Sequence, residues 1–272
     1  MLKLVRTRTG RYLVVALVIA ASAIAVYANH SWGNYHWARQ SNPFTLKLGD
    51  NVSSQWDSYL ATASNDWSAS QVLNTTVVAG GVTNLRRCPI TAGRVEICNT
   101  TYGNNGWLGV AGIAVSGSHI TGAYVKMNDT YFNTAQYNTT AWRNLVMCQE
   151  VGHAFGLDHQ DEDFNNTPLG TCMDYSSDPV PNQHPNSHDY QQLETIYSHL
   201  DSTTTVGATI GKAPQAMRDM DFAGPGQWGR LVRQSKDGGK SVYELDFGGG
   251  HKVFTFVTWT VEVAEQRRAR HD

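Results

Sequence analysis

The chain has 272 residues, 41% of them apolar and 16% charged. That supports a medium-sized domain with a real core and excludes wholesale disorder. A formal net charge of −2 lacks the basic excess of a nucleic-acid footprint, so no nucleic-acid partner is expected.

In chain order, residues 1–28 have the form of an export signal. Lys3, Arg6, Arg8 and Arg11 form a basic leader, Tyr12 to Ala28 is uncharged and mostly apolar, and Val26-Tyr27-Ala28 offers a small-residue cleavage site. The apolar run is at the short limit for a span. A cleaved signal and a secreted chain are therefore expected, with no stable membrane partner; an uncleaved anchor at the cell surface is the alternative. Export makes Cys88, Cys98, Cys148 and Cys172 a disulfide set. Three connectivities are open, and the sequence-local pairs Cys88–Cys98 and Cys148–Cys172 are preferred. Sequons at Asn74, Asn99 and Asn138 matter only in a glycosylating host.

An aromatic lead, "HSWGNYHWAR", precedes a strand predicted from Phe44 to Leu48. Ser53 or Ser54 is expected to cap a helix carrying Trp56, Leu60 and Trp67. Val72 to Gly81 is β-rich, and Cys88 to Cys98 has the pattern of a hairpin or tight excursion. Two short strands follow, near Gly109–Val115 and Gly122–Met127. Thr139 or Thr140 caps a helix over about Ala141–Ala154 that Gly156 stops, and Ser187 caps a last helix to about Leu200. The order of elements is α+β with a mixed sheet. Ser202 to Gln227 has little periodicity and is predicted as a linker. Three strands are predicted at Trp228–Gln234, Ser241–Phe247 and Lys252–Val263, too few to be stable alone, so the module is expected to dock on the main domain.

"CQEVGHAFGLDH", Cys148 to His159, carries the chemistry. Gln149, Glu150 and His153 share one helical face. Gly156 can turn the chain back so that His159 approaches the same point. Two ligands from a helix and one from beyond it can hold Zn2+ with a fourth position open. Glu150 would stand beside the metal, placed to take a proton from bound water.

These residues resemble the metzincin signature H-E-x-x-H-x-x-G-x-x-H followed by a Met-turn. "QEVGHAFGLDH" matches at each fixed position except the first, where Gln149 stands for histidine. Met173 in "CMDY" resembles the Met-turn residue, and Tyr175 resembles the tyrosine near the zinc in astacins and serralysins. "GSHITGAYVKMND" looks like the edge strand and neighbour on which metzincins align substrates. The resemblance covers about Phe44 to Leu200. It implies a metzincin-like zincin domain with a mixed, mostly parallel sheet, an active-site helix and a Met-turn.

The organisation is then a signal at 1–28, a catalytic domain at 29–201, a linker at 202–227, a β extension at 228–263 and a disordered tail at 264–272. The implied function is that of a monomeric zinc endopeptidase acting on peptide or protein substrates. Glu150 would be the base, His153, His159 and a weaker Gln149 the ligands, and Tyr175 would stabilise the oxyanion. Gly156 and Met173 shape the site, and Cys148–Cys172 would staple the helix to the Met-turn. An amide oxygen is a weaker ligand than imidazole, so a non-catalytic pseudoprotease that binds through the cleft or the C-terminal strands is the alternative. His119, His184 and His188 are expected at the surface, although His119 could face the cleft and His184 or His188 could replace the missing ligand if its loop folds back. Asp158 and Asp161 are expected as loop acids, either of which could orient an imidazole, and Trp32, Trp37 and Trp107 as packing residues. The stretch between the signal and Phe44 contains no cysteine, so latency by a cysteine switch is not expected.

Overall fold

The computed structural model describes residues 29–160, 167–174, 176–209 and 213–269. The signal-like segment, Asp161 and Tyr175 lie outside the described residues. The elements in order are β1 (His36–Trp37), β2 (Phe44–Asn51), α1 (Asp57–Trp67), β3 (Leu73–Ala79), β4 (Thr91–Ala92), β5 (Val95–Thr100), β6 (Trp107–Ser116) and β7 (His119–Asn128). Helices α2 (Asp129–Phe132), α3 (Thr140–His153), α4 (Ser187–Ile196) and α5 (Gln215–Asp219) follow. Strands β8 (Arg230–Gln234), β9 (Lys240–Gly248) and β10 (His251–Trp259) and helix α6 (Val261–Arg268) complete the chain.

The fold is α+β. A single large sheet runs β3-β2-β5-β7-β6-β10-β9-β8, with the short β1 and β4 paired to β7. Pairings from β3 to β7 are parallel; those from β7 through β6 and β10 to β8 are antiparallel. The sheet is therefore mixed but not mostly parallel. The C-terminal strands arrive by hairpins, and hairpin-joined neighbours must be antiparallel. They extend the main sheet rather than docking on it as a separate module. The run expected at an edge is β7, which is interior between β5 and β6, and its neighbour β6 is covered along its whole length by β10.

Both faces of the sheet are covered. Helices α1 and α3 pack on one face over a core that includes Trp37, Leu46, Trp56, Trp67, Val125 and Phe256. The other face buries Trp107, Tyr124, Met217, Phe222, Trp228 and Trp259. Met217 and Phe222 lie in the predicted linker, which is instead a packed cover. Its anchors are spaced irregularly, so periodicity does not reveal them. Nearly every residue of β6 is buried, as expected of a strand with both faces covered.

Local chemistry explains the boundaries. The Thr139 side chain accepts from Trp142 N and caps α3. Helix α4 is capped by Asn186 rather than Ser187, through a reciprocal capping box with Asp189. That shift places His188 in the first turn, facing inward: it is buried and lies 4.8 Å from the His30 ring. Helix α1 follows a backbone turn from Ser53 to Trp56 and has no side-chain cap. The expected disordered tail is helical to Arg268, because Thr260 caps α6, Glu262 sits in its first turn and Arg267 and Arg268 in its last. The Cys88–Cys98 segment is an excursion rather than a hairpin: β4 pairs with β7, and β5 with β2 and β7. Both preferred disulfides are present, with Cα–Cα separations of 6.1 Å for Cys88–Cys98 and 5.9 Å for Cys148–Cys172. No helix among the described residues is long and apolar enough to cross a membrane.

One buried charge on the second face is not used by the site. Lys126 on β7 is fully buried, lies 5.8 and 5.0 Å from the Tyr102 and Tyr124 ring centroids, and donates to the Asp221 carbonyl. Burial pushes its pKa down to about 7, against the pull of Asp221. Between that value and the unfolded value near 10.5 the unfolded chain holds more protons, so this group makes stability rise with pH. Lys126→Met should stabilise the protein at pH 7 by about 3 kcal/mol and flatten the rise in stability between about pH 7 and 10. Denaturant titrations of both proteins across that range check it.

Candidate functional site

The motif residues meet where α3, the loop after it and the C-terminal strands converge. Gly156 has φ +92°, a conformation that strains any side chain. A Cβ there would also stand 2.4 Å from the Tyr35 carbonyl oxygen. The chain therefore turns sharply under the N-terminal lead, and Trp32 N and Asp158 N bond to the Gly156 and His30 carbonyls. His159 is thereby brought back to His153, with their Nε2 atoms 3.2 Å apart and both rings buried. His153 Nδ1 lies 2.9 Å from the Leu157 carbonyl. Only an N–H can satisfy that oxygen, so His153 presents Nε2 toward His159.

Met173 lies beneath the helix. A Cβ on Gly152 would meet its sulfur at 2.6 Å and Trp67 at 2.7 Å, so Gly152 is what lets the segment below approach α3. The Cys148–Cys172 disulfide ties the same two segments. Gln149 Nε2 donates to the Cys172 and Asp174 carbonyls at 2.7 and 3.2 Å. This fixes the amide, so Oε1 points into the site.

The partner of that oxygen is a cation from the far end of the chain. Lys240 Nζ donates to Gln149 Oε1 and, at 3.0 Å, to Thr258 Oγ1. The Thr258 hydroxyl lies 3.0 Å from Gln149 Oε1 and 2.6 Å from Glu150 Oε1. The sheet register builds this network. Thr258 is opposite Lys240 on β9 and opposite Gly109 on β6. Gly109 leaves room for Glu150, whose Oε1 would stand 2.7 Å from a Cβ there. Two positions along β10, Phe256 stacks on the His153 ring at 4.4 Å and 9°.

Gln149, Glu150 and Lys240 are all buried. Burial raises the Glu150 pKa, opposed by Lys240 and by hydrogen bonds from Thr258 and the Ala111 backbone. Burial likewise lowers the Lys240 pKa, opposed by Glu150 and then by Asp237 and Asp174. His153 is driven well below its usual value by burial and then by His159, with Lys240 adding to the effect. His159 is driven down by burial, then by Lys240 and Arg233. Both imidazoles are therefore neutral at pH 7.

As a zinc site this arrangement does not fit. Two imidazole nitrogens converge as ligands would, but the third donor already accepts from an ammonium. A metal ion in the same place would meet that positive charge in a buried site that screens it far less than water does. The structure thus brings Gln149, Glu150, His153, His159, Gly156 and Met173 together; Tyr175 lies outside the described residues.

Of the other candidates, Asp158 departs from expectation. Asp158 is not a solvated loop acid. It is buried, accepts from His159 N at 2.8 Å and pairs with Arg233 of β8. Burial raises its pKa against the opposing pull of Arg233. His184 is at the surface as expected, 2.7 Å from Asp66. Trp37 and Trp107 are fully buried, and Trp37 Nε1 donates to the Ala154 carbonyl. Trp32 packs edge-on against Phe254 and Phe256. Lys240 and Thr258 carry no motif and lie far along the chain. The signal that could have found them is a lysine and a threonine inside strands that otherwise read as core. No protein-family model matches the chain, and no curated protein matches it.

The network predicts strong coupling. Lys240→Met alone leaves the Glu150 carboxyl buried without its cation and should cost about 3–5 kcal/mol. Adding Glu150→Gln should recover much of that loss, because neither charge then remains unpaired. Denaturant unfolding of the two single variants and the double variant measures the coupling; additive losses would contradict it.

Proposed function

We propose that this chain is an exported, metzincin-like domain that does not hydrolyse peptides and serves as a binding domain, its cleft closed by its own C-terminal strands. The metzincin likeness is supported by "QEVGHAFGLDH", by Met173 packed under α3, and by the set β3-β2-β5-β7-β6 lying on α1 and α3. In that set only the β6–β7 pairing is antiparallel. Export is supported by the signal-like segment and the two disulfides. The observation that carries the loss of hydrolysis is the Lys240 ammonium on Gln149 Oε1. It stands in for the metal's positive charge and gives Glu150 a structural purpose as its counterion. A retained glutamate is then no sign of retained catalysis. The partner would be met on surfaces outside the closed cleft.

The second reading is a latent zinc endopeptidase with Glu150 as base. It is favoured by one observation, the 3.2 Å approach of the His153 and His159 Nε2 atoms. It requires Lys240 to withdraw and β10 to leave β6, although Phe254 and Phe256 of β10 belong to the main core.

Tag-free chain, its Gln149→His variant and a Gln149→His/Lys240→Ala variant, each incubated with zinc and unfolded protein substrates, separate the two. Under our reading the wild type and Gln149→His are both inert, because restoring one ligand leaves the ammonium in place. Cleavage by the wild type that Glu150→Ala abolishes would establish the latent protease instead.

A further inference from the structure

We propose that His36, His119 and Asp201, with His199 beside them, form a structural zinc site distinct from the motif site. Among the described residues, His36, His119 and Asp201 are the place where three potential ligand atoms from His, Cys, Asp or Glu converge, all within 4.8 Å of one another. The neighbouring His199 adds a fourth. The four come from three parts of the chain: β1, the start of β7, and the segment after α4. The parallel pairing of β1 with β7 sets His36 directly opposite His119.

The distances around Asp201 suit ligands of one ion, with His36, His119 and Asp201 mutually within 4.8 Å. Asp201 Oδ1 lies 3.2 Å from His119 Nε2, 3.4 Å from His36 Nε2 and 3.6 Å from His199 Nε2. His36 Nε2 and His199 Nε2 are 3.2 Å apart. Ligand atoms about 2.0–2.1 Å from a tetrahedral zinc stand about 3.3 Å from one another.

The outer contacts hold this arrangement ready. Asp201 Oδ2 accepts from Arg39 Nη1 at 3.0 Å and from Arg39 N at 3.2 Å, which turns Oδ1 toward the histidines. Arg39 also donates to the His199 carbonyl. His36 Nδ1 lies 2.7 Å from the Asn34 carbonyl. Nδ1 must therefore carry its hydrogen, and a neutral His36 turns the Nε2 lone pair toward a carboxylate oxygen and another imidazole nitrogen. A cation between the His36 lone pair, the Asp201 carboxylate and the neighbouring imidazole nitrogens would satisfy all of them at once. Three imidazoles and one carboxylate are the donor set of a borderline divalent ion, with zinc the ordinary case. The site opens onto a pocket of about 390 Å³ lined also by Ser31 and Gln192. The His119 and His199 side chains are 34% and 53% exposed, so an ion can enter. With His36, His119 and Asp201 as ligands and His199 beside them, the ion's role is to fasten the N-terminal lead to β7 and to the chain beyond α4.

The test uses the full-length exported chain without a polyhistidine tag, stripped with chelator and titrated with Zn2+ or Co2+. We expect one equivalent of zinc bound, a visible tetrahedral cobalt spectrum, and a Tm that rises with added zinc. His119→Gln/His199→Gln alters two partly exposed side chains and leaves the Arg39–Asp201 pair intact, so the fold should persist. It should weaken zinc binding by about 100-fold or more and remove the cobalt spectrum and the Tm response. His153→Ala should leave all three unchanged. The proposal is overturned if the wild type takes up no zinc, which would leave a proton as the bridging cation. It is equally overturned if the double variant keeps wild-type affinity, or if the signals vanish with His153→Ala.

Discussion

Strand β10 lies along β6 for nine residue pairs, and what the rest of the molecule can do depends on that pairing. An open sheet edge is a row of unpaired donors and acceptors, which is the surface on which an extended peptide is normally bound. Here the chain supplies its own strand. The same pairing carries Phe256 onto His153 and Thr258 onto Glu150. The next hairpin brings Lys240 to Gln149. Closure of the edge and capture of the site are thus one structural event. A register slip of a single residue along β10 would turn Thr258 and Phe256 to the other face and undo both.

A buried ion pair is an uncertain source of stability, because desolvation can exceed the attraction. The Glu150–Lys240 pair is better understood as a device that sets register. Strands β9 and β10 are rich in residues that could satisfy a core in more than one alignment. Only one alignment places Lys240 and Thr258 together over Gly109, where the carboxyl of Glu150 has room. Any other leaves a carboxylate or an ammonium buried alone, at a cost of several kcal/mol. The pair excludes wrong pairings more than it strengthens the right one.

How much of this was legible in the sequence depended on the range of the interactions. Local signals were read well: the Thr139 cap, the turn at Gly156, and the two sequence-local disulfides. The assembly of Gln149, Glu150, His153 and His159 followed from helical spacing and one glycine, and the place of Met173 from the resemblance to a Met-turn. What escaped were relations between distant segments. Lys240 lies 91 positions from Gln149, and nothing in "KSVYELDF" marks its first residue as the partner of a helix glutamine. Met217 and Phe222 anchor a cover whose spacing has no period. Asn186 took the cap from Ser187 because Asp189, three residues on, completes a reciprocal box, and that one-residue shift turned His188 inward.

Among the described residues, His153 with His159 and His36 with His199 form pairs of facing imidazole nitrogens, each 3.2 Å apart. Motif reading assigns a metal to the first and nothing to the second. The surrounding charge argues the reverse. Around His153 and His159 the Asp158 carboxylate stands 3.4 Å from His159 Nδ1, but the Lys240 ammonium adds to the burial that lowers the proton affinity of both rings and already holds the third donor, Gln149 Oε1. Around His36 and His199 the nearest added charge is the Asp201 carboxylate, held in place by Arg39 so that one oxygen stays turned to the rings. Imidazole spacing alone is common to both sites. What completes each shell distinguishes them: an amide oxygen already taken by Lys240 from far along the chain, or the Asp201 carboxylate two residues after His199.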